Sequence, residues 1–153
     1  MAKQFRGTRQ PGWMAPLALL AGAVMSLNAQ AGDLEVSEAR MRVLPGEMPA
    51  AGYFQLHNGG EGTVVLVGAH SAAFGHVELH RSMSHDGMAS MEAVEQVELA
   101  AGESIEFAPQ GYHLMLMQPA GEVAVGESVE IVLNFEQAEP LSVDFEAVPP
   151  TSL

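Results

Sequence analysis

The chain has 153 residues, 48% of them hydrophobic, with six basic residues against nineteen acidic ones and no cysteine. That length and apolar content suit one domain with a packed core, and the missing thiols exclude disulfides, a blue-copper centre and the usual cysteine-based structural zinc site. A formal net charge of −13 makes nucleic acid and anionic membrane surfaces poor partners.

Residues 1–31 read as a secretory signal. Lys3, Arg6 and Arg9 form a basic start, residues 14–27 are an apolar run with small side chains, and Ala29-Gln30-Ala31 fits an A-x-A cleavage site ahead of Gly32. The run is shorter than the roughly 20 residues that span a bilayer, which argues against an uncleaved anchor. With no cysteine to lipidate and no Arg-Arg pair, the signatures of lipoprotein and twin-arginine export are both missing. Cleavage after Ala31 leaves only Arg40, Arg42 and Arg81 against all nineteen acids, a net charge of −16 on an exported domain at 32–153, with the periplasm as its compartment.

That domain reads as all-β. Apolar residues alternate in Leu34 and Val36, in Ala39, Met41 and Val43, in Phe54 and Leu56, in Val129, Ile131, Leu133 and Phe135, and in Leu141, Val143 and Phe145. Turn signals fall between these runs at Pro45-Gly46, Asn58-Gly59-Gly60, Asp86-Gly87, Ala101-Gly102, Gln110-Gly111, Gly126 and Glu139-Pro140. Eight or nine short strands at this spacing predict an antiparallel sandwich or Greek-key barrel.

Two stretches bring metal-binding side chains onto shared faces. Asp86-Gly87 predicts a two-residue type I′ hairpin, in which His85 faces Met88 and Ser82 faces Met91. His80, two residues before Ser82, then points to the same side as Met91 as its diagonal neighbour, while Met83, His85 and Met88 take the other side. A bulge or a longer loop would slip the register and reverse this sorting. His113 and Met115 share a face at i and i+2, with Met117 next in line, whereas Tyr112, Leu114 and Leu116 point the opposite way.

Two neutral imidazoles and two thioethers carry no charge to balance a hard dication and suit a soft monovalent ion. His80, Met91, His113 and Met115 are therefore candidate ligands for one Cu(I). Thioethers also form no disulfides, which fits an exported protein. Methionines commonly fill cores, yet five of the seven beyond residue 31 fall between Met83 and Met117.

The spacing of these residues resembles the periplasmic copper chaperone PCu(A)C family, whose motif is a His, ten residues, a Met, twenty-one residues, then His-x-Met. Ten residues separate His80 from Met91, and twenty-one separate Met91 from His113. Val77-Glu78-Leu79-His80, Asp86-Gly87-Met88 and the run from Pro109 through Tyr112-His113-Leu114-Met115 carry the likeness, which extends to Ala51-Gly52-Tyr53 and the strand around Phe135. It implies a cupredoxin-like β-sandwich holding one Cu(I) near its surface. It further implies delivery to the binuclear copper site of cytochrome c oxidase, on subunit II, often alongside a Sco-type thiol protein. Two departures stand out. Pro-Gln-Gly replaces the usual Pro-Gly-Gly before Tyr-His, and the chain ends Pro149-Pro150-Thr151-Ser152-Leu153 without the His- and Met-rich tail that some members use for a second, Cu(II)-type site.

No Ser-His-Asp or paired-carboxylate constellation can be singled out, so a non-enzymatic carrier is expected. The alternatives are a structural β-sandwich whose methionines form a protein-docking patch, and a zinc module using His80, His113 and Glu78.

Overall fold

In the computed structural model, residues 29–153 are described. They form β1 (Ala29–Ala31), β2 (Leu34–Arg42), β3 (Ala50–Asn58), β4 (Val64–His70), β5 (Phe74–His85), β6 (Met88–Ala93), β7 (Val97–Leu99), β8 (Ser104–Phe107), β9 (Tyr112–Pro119), β10 (Ser128–Glu136) and β11 (Leu141–Val148), then a 3-10 turn at Pro150–Ser152. The all-β expectation holds. The number of strands exceeds eight or nine because pieces as short as β1 and β7, three residues each, are too brief to show alternation.

The hydrogen-bonded path runs β6-β5-β9-β3-β2-β11-β10-β4-β7, with β1 joined to β2 and β8 to β3. Strands β2 and β3 each change partner along their length. The first half of β2 pairs with β1 and its last residues, Arg40 to Arg42, pair with β11. The switch coincides with a register shift between Ser37 and Arg40, where Glu38 takes φ 53°. Likewise β3 uses Ala50 to Gly52 against β9 and Phe54 to His57 against β8. All ladders are antiparallel except β2 with β11. That parallel pair needs a long crossover, supplied by everything between the two strands.

One apolar cluster draws on strands from β2 to β11. Val36, Met41, Phe54, Leu56, Leu66, Leu114, Ile131, Leu133 and Phe145 are among its fully buried members. Phe54 stacks on Phe107 and meets Phe145 edge-on. Gly52 marks a close approach: a β-carbon there would lie 3.3 Å from both Leu114 Cβ and the Phe145 ring. Beneath the candidate ligands, Val77 and Leu79 of β5 and Leu114 and Leu116 of β9 are buried in this cluster. The core thus fixes the backbone that carries His80, His113 and Met115.

The segment expected as a signal lies outside the described residues up to position 28. Ala29, Gln30 and Ala31, just before the expected cut, pair with Val36, Glu35 and Leu34. Among the described residues no helix is long and apolar enough to cross a membrane.

Candidate metal centre

The β5–β6 hairpin turns on Asp86 and Gly87 with φ 51° and 77°, the two positive values that a type I′ turn requires. Its register is the one expected, with His85 opposite Met88, Ser82 opposite Met91 and His80 opposite Ala93. His80 and Met91 are accordingly diagonal neighbours on one face, and Met83, His85 and Met88 lie on the other. All six β6 residues are exposed, and Met91 retains 52% of its accessible surface.

On its other side β5 pairs with β9, which begins after a turn closed by Gly111 N–H donating to the Ala108 carbonyl at 3.0 Å. This ladder sets His80 opposite His113, Glu78 opposite Met115 and His76 opposite Met117. The two imidazole centroids are 5.9 Å apart. One face of three adjacent strands thus carries Met91 on β6, His80 on β5, and His113 and Met115 on β9, with Met117 a further pleat away beside His76.

The two histidines differ in setting. His113 is only 3% exposed, enclosed by His80 on one side and by Tyr53 on the other, whose ring centroid is 6.3 Å away. Its Nδ1 donates to the Gly111 carbonyl at 3.2 Å, which puts the proton on Nδ1 and leaves the Nε2 lone pair to bind elsewhere. Burial pushes its pKa down, with the positive charges of His80 and Arg42 acting in the same direction and the Gly111 hydrogen bond opposing. The Arg42 guanidinium lies 5.6 Å from the Tyr53 ring centroid and partly offsets the upward shift that burial imposes on that phenol.

His80 donates from Nε2 to Glu78 Oε2 at 2.8 Å. Its Nδ1 is buried and has no hydrogen-bond partner. An unpaired buried polar atom costs about 1–3 kcal/mol, so this nitrogen is a lone pair in want of a Lewis acid. Glu78 was weighed from sequence only as a zinc ligand. Its other oxygen, Oε1, accepts from His76 Nε2 at 2.7 Å, and these hydrogen bonds, from His80 first and His76 second, lower its pKa. Both of its oxygens are therefore engaged with ring N–H groups. The signal for this role was the alternation of His76, Glu78 and His80 along one strand face.

Among the described residues no group of three His, Cys, Asp or Glu side chains is arranged to hold a metal. The other soft side chains that share this face by register are the thioethers of Met91, Met115 and Met117. An open cleft of about 370 Å³ is lined by Val43, Met48, Ala50, Phe74, Pro119 and Val125 among others, and by none of the four candidate ligands. Its Phe74 is six residues from His80 along β5, about 20 Å by strand rise, whereas its Ala50 pairs with Leu116, next to Met115.

Residues 34–147 match the family model described as putative lipoprotein LpqE-like. The chain belongs to the LpqE-like, PCu(A)C family. A putative lipoprotein of Leifsonia xyli subsp. xyli is 31% identical to this PCu(A)C chain, over 97% of the chain and 92% of that relative. The copper-bound PCuAC domain from PmoF2 shares the fold, with a TM-score of 0.69, 24% identity, and coverage of 81% of this chain and 99% of that one. The Cu(I) form of DR1885 from Deinococcus radiodurans superposes with a TM-score of 0.57 at 25% identity, over 75% of this chain and 76% of that one. The match to the PCu(A)C family agrees with the resemblance carried by the His80-to-Met115 spacings.

Proposed function

We propose that the protein is a non-enzymatic periplasmic carrier of one Cu(I), bound through His80, Met91, His113 and Met115 and delivered for assembly of the cytochrome c oxidase copper site. The observation that carries this reading is the register: His80 stands opposite His113, Met91 is diagonal to His80, and Met115 shares the His113 face. The unpartnered Nδ1 of His80 supports it further, as do the Cu(I) form of DR1885 and membership of the PCu(A)C family.

The donors are graded from buried to exposed. His113 is enclosed at 3% exposure and anchors the ion, whereas Met91 at 52% exposure stands on an edge hairpin. An acceptor that offers a thiolate can approach from the Met91 side, take the place of a weak thioether and pass through a shared-ligand state before the imidazoles let go. Neutral donors leave the +1 charge of the ion uncancelled, and the net negative charge of the whole chain, −13, favours its approach. A thiolate acceptor of the Sco type or the cysteine-bearing domain of oxidase subunit II fits this order of exchange. Zinc is less well served, because both Glu78 oxygens are occupied by histidine N–H groups.

The test is a competition titration of the metal-free protein with Cu(I) and with Zn(II), followed by X-ray absorption and by mixing the loaded protein with the soluble domain of oxidase subunit II. One equivalent of Cu(I), sulfur and nitrogen scattering, and metal transfer to the acceptor are expected. Oxygen and nitrogen scattering alone, or a preference for Zn(II), would overturn the proposal.

A further inference from the structure

We infer that Glu78 is a positioning residue that holds the proton of His80 on Nε2, so that Nδ1 is the nitrogen presented to the metal. This rests on the Cu(I) reading of the site. The neutral imidazole has two tautomers, and the one present is set by the partner of the protonated nitrogen. A carboxylate oxygen can only accept, and Glu78 Oε2 is 2.8 Å from His80 Nε2. The same ring has its Nδ1 buried without any partner, and among the described residues it is the one buried side-chain nitrogen or oxygen in that state.

Glu78 is itself held. Its Oε1 receives the His76 Nε2 proton at 2.7 Å, and its position opposite Met115 keeps the carboxylate on the donor face. The three residues share that face because they alternate along β5. His76 is thus tied to the site through Glu78 while lying two residues further along the strand. The arrangement at His113 is complementary: the Gly111 carbonyl takes the Nδ1 proton, so that ring offers Nε2. One histidine is oriented by a side chain and the other by the backbone. Only the first orientation can be removed by substitution without touching a metal ligand.

The experiment reads the tautomers of metal-free, 15N-labelled protein from long-range proton–nitrogen correlations, at a pH where both rings are neutral. Cu(I) affinity is measured on the same samples. In the wild-type protein His80 should carry its proton on Nε2 and His113 on Nδ1. Glu78→Ala should let His80 populate both tautomers and weaken Cu(I) binding by about 10–100-fold, the usual effect of losing a partner that orients a ligand. His113 should keep its tautomer. Glu78→Gln, whose amide oxygen can still accept one N–H, should restore much of both properties. A wild-type His80 proton on Nδ1, or a Glu78→Ala affinity within about twofold of wild type, would overturn the inference. Because the tautomer is read without metal, His80 protonated on Nε2 in a protein that binds no Cu(I) would support the role of Glu78 in holding the ring and would count against the copper reading alone.

Discussion

His80 and His113 face each other across the β5–β9 ladder with their ring centroids 5.9 Å apart, although thirty-two residues separate them in the chain. That opposition turns two separate His/Met pairs into one cluster. It is held by core residues on the reverse face, Leu79 beneath His80 and Leu114 beside His113. Strand β6, which bears Met91, extends from this base with no buried residue of its own.

The sorting of methionines by face can be read directly in binding. Met91→Ala should weaken Cu(I) by at least about tenfold, equivalent to ~1.4 kcal/mol, while Met83→Ala and Met88→Ala should stay near wild type. Met83 opposes Ser90 and Met88 opposes His85, on the far side of the ribbon from His80. Competition against a chromophoric Cu(I) chelator measures all three. Equal losses for Met83 and Met91 would show that the metal does not sit on the His80 face.

How much of this was legible in the sequence depends on the range of the contact. Alternation marked the long strands, and Asp86-Gly87 specified the β5–β6 register because few dipeptides accept two positive φ values. The pairing of β5 with β9 was not accessible, since no local rule says which strand lies on the free side of a hairpin. The opposition of His80 to His113 followed only from that ladder. The parallel β2–β11 contact and the split of β2 and β3 between partners were hidden for the same reason. Glu78 was visible on the right face, but its hold on two imidazoles depends on side-chain geometry that strand periodicity does not specify.

Gly87 offers a test of the hairpin that leaves the core untouched. It takes φ 77°, so Gly87→Val places a β-branched side chain in a region that such residues avoid, at a local cost of about 1–2 kcal/mol. Because β6 is wholly exposed, the cost should appear as lost amide protection in β5–β6 and weaker Cu(I) binding, with little change in the global urea midpoint. A drop in global stability equal to the local one would mean that the hairpin unfolds only with the rest of the domain.

Gly52 should behave in the opposite way. A β-carbon there would come within 3.3 Å of Leu114 Cβ and of the Phe145 ring, both completely buried. Gly52→Ala is expected to destabilise the domain by about 1–3 kcal/mol, as overpacking does, seen as a lower urea midpoint with an unchanged slope. Since Leu114 lies between His113 and Met115, copper affinity should fall as well. An unchanged midpoint would show that β3 and β9 can separate without cost.

Acid should loosen the metal-free fold through His113. Its pKa in the folded protein is held below the ordinary value of 6.5, chiefly by burial, so between those two values the unfolded chain binds more protons than the folded one. Stability from this group is complete above about pH 6.5 and is lost as pH falls from there through the depressed folded value, at no more than about 1.4 kcal/mol per pH unit for one proton. Glu78, also depressed, adds a loss of the same sign at lower pH, as its carboxylate protonates below the ordinary value of 4.5. The two windows are therefore separable. Urea unfolding of the metal-free protein from about pH 7.5 down to about pH 5 should show a declining midpoint, and His113→Phe, which fills the buried site with a ring that cannot titrate, should remove most of that decline. A decline that persists unchanged in the His113→Phe variant would place the titrating group elsewhere and would show that burial does not depress the His113 pKa enough to couple it to folding.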